Sequence, residues 1–240
     1  YERVEDYWGR DVNVNVGRNN IGRIRYEVFL DSGAALDAFR GGLIDYRAEY
    51  SASNWAERYD FAAVRDGRVV REEIALEGPK RVQYFAMNLR RPKFQDIRTR
   101  KALALAFDFE WTNRAIYYNQ YARPRSYWQG TDDLTPLAPP QGIELELLEQ
   151  YRGQVPEEVF GAPYEPPVTD GSGRNRRNLR EAAMLLQQAG WTQGEGGRLV
   201  GPDGAPFRIE FLSAQETQGR VIGPYVQNLE TLGIEASFRV

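Results

Sequence analysis

The chain has 240 residues, 42% of them hydrophobic and 27% charged, which suits a soluble globular protein with one large domain or two small ones. It contains neither His nor Cys, which removes disulfides, thiol nucleophiles, zinc–thiolate sites and the commonest general base and metal ligand at neutral pH. The net charge is −3, and its cations, all Arg except Lys80, Lys93 and Lys101, are scattered among acids rather than gathered on a basic face, so no nucleic-acid partner is expected.

Residues 1–22 mix a short extended or helical stretch, Glu2 to Trp8, with Gly, Asn and Arg turns. Ile24, Tyr26, Val28 and Leu30 alternate as a period-2 strand. Asp31-Ser32 then caps a short helix carrying Ala35, Leu36 and Phe39, which Gly41-Gly42 stops. A short strand is expected at Ile44 to Tyr46, a polar loop around Asn54-Trp55, and a further strand from Val69 to Leu76. After the Gly78-Pro79 turn, Val82 to Asn88 reads as an apolar strand.

From Asp96 the pattern turns helical. Asp96 caps a segment with Ala102, Leu103, Leu105, Ala106 and Phe107, and Asp108 caps a second helix through Trp111 and Ile116. Residues 123–177 form an irregular, Pro-rich excursion in which Leu145 to Tyr151 is one short helix. Asn178 with Glu181 is a capping-box-like start for a helix whose face carries Leu179, Ala182, Ala183, Leu186 and Ala189, ended by Gly190. Gly201-Pro202-Asp203-Gly204 is a hairpin-type turn before the strand of Phe207, Ile209 and Phe211. Val221, Tyr225, Leu229 and Leu232 fall at helical spacing, with Pro224 expected to kink that helix or mark its start. Ile234, Ala236, Phe238 and Val240 alternate as a last strand, and a chain stopping on the buried register of a strand is taken as truncated. No apolar run reaches the ~20 residues of a membrane-spanning helix, so no membrane insertion is expected.

Catalytic chemistry has little to stand on. Asp132-Asp133 and Glu144 with Glu146 offer the paired carboxylates of a carboxylate-dependent hydrolase, but no flanking apolar pocket is there to raise an acid's pKa. Gly194 to Gly204 is Gly-rich yet lacks the Lys-Ser/Thr and helix of a phosphate-binding loop. No catalytic residue, metal ligand or cofactor is therefore assigned, and the chain is read as a non-enzyme.

Four ordered segments carry a family resemblance. Asp31…Ala35-Leu36…Phe39…Gly42…Ile44-Asp45 comes first, and Asn88…Phe94-Gln95-Asp96…Arg98…Arg100…Ala102…Ala106…Asp108 is the most specific. Asn178…Ala182…Leu185-Leu186…Ala189-Gly190-Trp191 and Leu232-Gly233-Ile234 follow. Together they resemble the periplasmic solute-binding proteins of family 5, the oligopeptide, dipeptide and nickel ABC-transporter cluster. Tyr7-Trp8-Gly9, Asn15…Gly17…Asn19, Asn54-Trp55 and Phe107-Asp108-Phe109-Glu110-Trp111-Thr112-Asn113 resemble the branch represented by the binding protein of the microcin C and peptide transporter.

The resemblance implies a type II periplasmic-binding-protein α/β fold, a mixed sheet with flanking helices, here as part of a longer two-lobed chain. Residues 1–82 would be a partial lobe I and 83–240 most of lobe II, with Gln83 to Asn88 as the first crossing between them. A signal sequence before Tyr1 and a return strand beyond Val240 are expected. The implied function is capture of oligopeptides between two lobes in the periplasm and delivery to ABC permease subunits, by a monomer; a sugar, an opine or a metal chelate is the alternative ligand. Extended peptides suit strand edges and roomy pockets. The ligand-binding candidates are accordingly Gln83, Tyr84, Phe85 and Met87 at the crossing, the aromatic pair Tyr127 and Trp128, and Asn54 and Trp55 in lobe I. Arg98 and Arg100 are read as helix-level ion-pair partners of Asp96 and Asp108.

Overall fold

The computed structural model describes residues 1–131 and 134–240, and the chain divides into two compact units, Tyr1–Arg71 and Glu72–Val240. In the first, Asp31 accepts a 2.8 Å hydrogen bond from the Ala34 amide and starts helix α1, Ser32–Arg40, which ends at Gly41-Gly42 as expected. Helix α2, Ala52–Glu57, and the single turn α3, Ala62–Arg65, follow. Leu36 and Phe39 from α1 are buried against Tyr59 and Phe61, and the three rings meet at centroid distances of 6.2–6.4 Å.

Asn54 and Trp55 lie on α2 rather than in a loop. The reason is local: the Ser51 hydroxyl accepts from the Asn54 amide, and the following residues are free of Gly and Pro, so a turn of helix closes where polarity suggested a loop. The strands expected at 24–30, 44–46 and 69–76 do not form. Among the described residues an isolated bridge between Glu2 and Arg23 stops just ahead of the first, and only isolated main-chain bonds such as Ile24 to Tyr1 and Val69 to Ala63 reach into the segments. A strand satisfies its main chain only through a neighbour, so alternation without a partner leaves an extended segment.

The second unit holds five α-helices and a short parallel sheet among the described residues. Helix α4, Ile97–Ala106, is capped by Asp96, which accepts 2.7 Å from the Arg98 amide, and α5, Phe109–Ala115, is capped by Asp108 at 3.0 Å from the Trp111 amide. Helix α6, Ile143–Glu149, is the one regular α-helix inside the described part of the irregular excursion. Helix α7, Arg176–Gln188, packs along α4 and buries Leu179, Ala182 and Leu186 against Ala102, Leu103 and Ala106. It starts at Arg176 and not at Asn178, because the Asn178 amide side chain is turned to the Val168 carbonyl at 3.1 Å instead of capping.

Strands β1, Thr192–Gln193, and β2, Leu199–Val200, form a small antiparallel pair. Strand β3, Arg208–Leu212, helix α8, Gly219–Thr231, and β4, Glu235–Arg239, make a parallel β-α-β unit with Phe211 opposite Phe238. Helix α8 runs through Pro224, so that residue does not mark its start. The segment expected as a strand at 82–88 joins no sheet.

Two family-like segments acquire a packing reason. The Trp191 ring lies stacked on Phe207, 4.1 Å away at 11°, and its indole N–H donates to the buried Thr99 hydroxyl at 3.1 Å. Gly233 has φ +81°, and a Cβ there would fall 2.4 Å from the Gly197 carbonyl oxygen, so only glycine lets the end of α8 meet β2.

Candidate functional site

The stretch 82–88 presents two faces. Phe85 meets Phe211 at 5.3 Å, Tyr225 at 5.6 Å and Phe107 at 6.0 Å, and Met87 packs on the same core. Tyr84 turns the other way, 70% exposed, and meets Tyr127 edge to face at 6.5 Å. Gln83 is exposed. Among the described residues, residues 82–87 make no main-chain hydrogen bond. An open pocket of about 1180 Å³ runs beside this stretch, floored by Phe85, Met87 and Phe211 and edged by the Arg208–Glu235 pair at 2.6 Å. At its rim the Lys93 ammonium is pushed below its usual range by burial and by the neighbouring Arg91.

The loop bearing Tyr127 and Trp128 is fastened to residues 78–80. The Lys80 amide donates to the Gln129 carbonyl at 2.8 Å, and Gly130, at φ +87°, comes so close that a Cβ would lie 2.5 Å from the Gly78 carbonyl oxygen. Inside the loop, the Arg125 amide donates to the Gln129 side chain at 3.1 Å, the Trp128 amide to the Ser126 hydroxyl at 3.0 Å, and the Thr135 hydroxyl to the Trp128 carbonyl at 2.9 Å. With its polar groups spent locally, the loop holds Tyr127 at 85% and Trp128 at 58% exposure.

Behind this ledge, side chains close the end of α4. The last carbonyls of a helix have no partner within it. Here the Tyr225 hydroxyl donates to the Leu103 carbonyl at 2.8 Å, the Asn175 amide to Leu105 at 2.9 Å, and the Asn228 amide to Ala106 at 2.8 Å. Complete burial pushes the Tyr225 phenol up. The returning segment is latched to α5: the Thr169 hydroxyl donates to Asp108 at 2.5 Å and its amide to Glu110 at 2.9 Å. Arg123, its guanidinium pushed down by burial, bonds the Pro167 carbonyl between the Phe107 and Phe109 rings. The sequence reading missed Asn175, Asn228 and Thr169; an Asn just ahead of a helix rich in apolar residues was the available signal.

The structure thus joins Tyr84 to Tyr127 and sets Phe85 and Met87 into the wall beside them. Asn54 and Trp55 belong to the first unit. There Asn54 donates to Glu49 at 3.4 Å, and the Trp55 ring packs on Tyr59 at 5.5 Å with the Arg71 guanidinium 4.2 Å above it. Arg98 pairs with Asp96 at 2.6 Å as expected, but Arg100 donates to the Phe94 and Gln95 carbonyls at 2.8 and 2.7 Å rather than to an acid, because it reaches back over the turn before α4. Glu144 and Glu146 are exposed in the first turn of α6, and Asp132-Asp133 lies outside the described residues. Among the described residues no group of three or more acids converges on a metal-binding position, and no helix is long and apolar enough to cross a membrane.

A family model for bacterial extracellular solute-binding proteins, family 5 (middle), matches residues 1–240. The chain belongs to that family. It is a family of binding proteins rather than of enzymes. Over its whole length the chain is 44% identical to the "Probable peptide-binding protein YejA" of Agrobacterium fabrum, covering 39% of that protein, and 38% identical to YejA of Escherichia coli, again covering 39%. It is 31% identical to the peptidoglycan-binding protein YepA of Agrobacterium fabrum, covering 40% of it. The chain therefore spans about two fifths of the curated relatives it matches. Among solved structures, NikA from Brucella suis in complex with Fe(III)-EDTA superposes on 91% of this chain and 37% of its own, at 21% identity and TM-score 0.58. The oligopeptide-binding protein AppA from Bacillus subtilis, in complex with a nonapeptide, superposes on 89% and 35%, at 19% identity and TM-score 0.54. These likenesses establish the expected type II periplasmic-binding-protein α/β fold, present here in part.

Proposed function

We propose that the protein containing these residues is the periplasmic solute-binding component of an ABC transporter, capturing oligopeptides and delivering them to permease subunits. The observation that carries this reading is the family match over all 240 residues together with 44% identity to a protein named for peptide binding. The site's physics supports it. In this reading the Gln83 to Met87 main chain, which makes no hydrogen bond among the described residues, pairs with an extended peptide regardless of the peptide's sequence. Tyr84, Tyr127 and Trp128 give exposed aromatic surface, and Tyr84, Phe85 and Met87 line the pocket.

In this reading residues 1–82 are part of lobe I and 83–240 most of lobe II, and Asn54 and Trp55 are lobe I's ligand contacts. Binding is non-covalent, and a ligand shifts such a protein toward a closed state only through the contacts that state adds. Mass spectrometry of ligands released by denaturing the freshly purified full-length protein tests the proposal. Recovered oligopeptides are expected. A sugar, an opine or a metal chelate in their place overturns the peptide assignment, and sugar-linked stem peptides would move it toward the cell-wall ligand for which the YepA relative is named.

A further inference from the structure

Several aromatic faces among the described residues are covered by the chain's own cations. Arg152 lies 3.8 Å over Phe160, Arg71 4.2 Å over Trp55, Lys93 5.2 Å over Phe94, Arg40 5.5 Å over Phe61 and Arg123 5.7 Å over Phe109. Among the described residues no cation lies over Tyr84, Tyr127 or Trp128. The two cations bracketing the loop contact are engaged elsewhere: the Lys80 ammonium bonds the Leu76 carbonyl, and Arg125 pairs with Glu165 at 3.1 Å. The main chain that carries the loop rings is also held, and one ring contact is made. Tyr84 and Tyr127 stand at 89° to one another, and the Trp128 main chain is bound at its amide by Ser126 and at its carbonyl by Thr131 and Thr135.

We propose that Tyr127 and Trp128, with Tyr84 standing against Tyr127, form a subsite for one planar side chain of the ligand, a guanidinium or an aromatic ring. The assignment rests on the peptide reading above. Aromatic faces carry negative potential that attracts a cation, and they stack offset with another flat ring; an aliphatic side chain gains neither contribution. A loop whose main chain is already bound also loses little freedom on binding, so more of that attraction appears as affinity. The main chain at 82–87 would then accept any peptide, while the ledge sets a preference at one position of it.

Titration calorimetry of the full-length protein with alanine pentapeptides tests this, each peptide carrying a single Arg, Phe or Leu in turn at every position. At one position Arg or Phe is expected to bind about three- to tenfold more tightly than Leu. Trp128→Ala removes that difference and Trp128→Phe keeps most of it, a pattern that loss of folding does not produce. Preference for Arg alone identifies the guanidinium as the partner, and for Phe alone the aromatic ring. Equal affinities for Arg, Phe and Leu at every position, with all three bound, overturn the subsite and leave peptide binding standing. A preference that survives both Trp128→Ala and Tyr127→Ala also overturns it. Failure of every pentapeptide to bind overturns the peptide reading and this inference together.

Discussion

The stretches 97–106 and 24–30 are both rich in apolar residues, yet they end in opposite environments. In α4 Ala102, Leu103 and Ala106 are within 2% of complete burial, whereas Val28 is 92% exposed and Leu30 wholly so. The difference lies in where each segment finds its main-chain partners. A helix bonds internally and needs neighbours only for its apolar face and its ends, and α4 has them: Asp96 at the start, three side chains on the last carbonyls, α7 and α8 on the face. A strand must borrow every hydrogen bond from another strand, so its apolar alternation stays unused until one arrives. Strands β3 and β4 confirm the rule from the other side, because α8 returns the chain and places them in register.

That contrast can be broken or sharpened by substitution. The largest effect is expected at Phe207, fully buried and stacked on Trp191 where α4, α7 and β3 meet. Phe207→Ala should cost the second unit about 3–5 kcal/mol in denaturant unfolding, and a loss below about 1 kcal/mol would mean that this core is not the one supporting the site. A smaller effect is expected where the irregular excursion is latched. Thr169→Val keeps shape but removes the hydroxyl bonded to Asp108, and should cost about 1–3 kcal/mol. It should also raise hydrogen exchange at the Trp111 amide, which Asp108 caps; unchanged exchange there would separate the latch from the cap. The smallest effect is expected at the unused alternation. Leu30→Ser in the 240-residue chain should change stability by less than about 0.5 kcal/mol, and a larger loss would show that this segment is packed after all.

Much of the helical framework was legible in the sequence. Asp31, Asp96 and Asp108 each announced a helix start that the structure keeps, because a capping carboxylate acts within three residues and needs no distant partner. The closing strand, helix and strand were legible too, from Phe207, Ile209 and Phe211 through Tyr225 and Leu229 to Ile234 and Ala236, though not their parallel pairing. Asn54-Trp55 misled because polarity outweighed the Ser51 cap, and Asn178 because its side chain had a carbonyl outside the helix to bond.

The candidate site was legible only as residue types. An aromatic pair in a loop and an apolar run ending in Asn could be singled out, but sequence spacing says nothing about contact between Tyr84 and Tyr127, 43 positions apart. Sequence alone determined what short-range forces decide: caps, glycine stops, helical faces and the family-like order of segments. Tertiary structure decided which strands found partners, which aromatic faces stayed uncovered, and how the buried carbonyls of α4 were satisfied. Each of those depends on groups that chain folding brings together from positions tens of residues apart, where no local preference reaches.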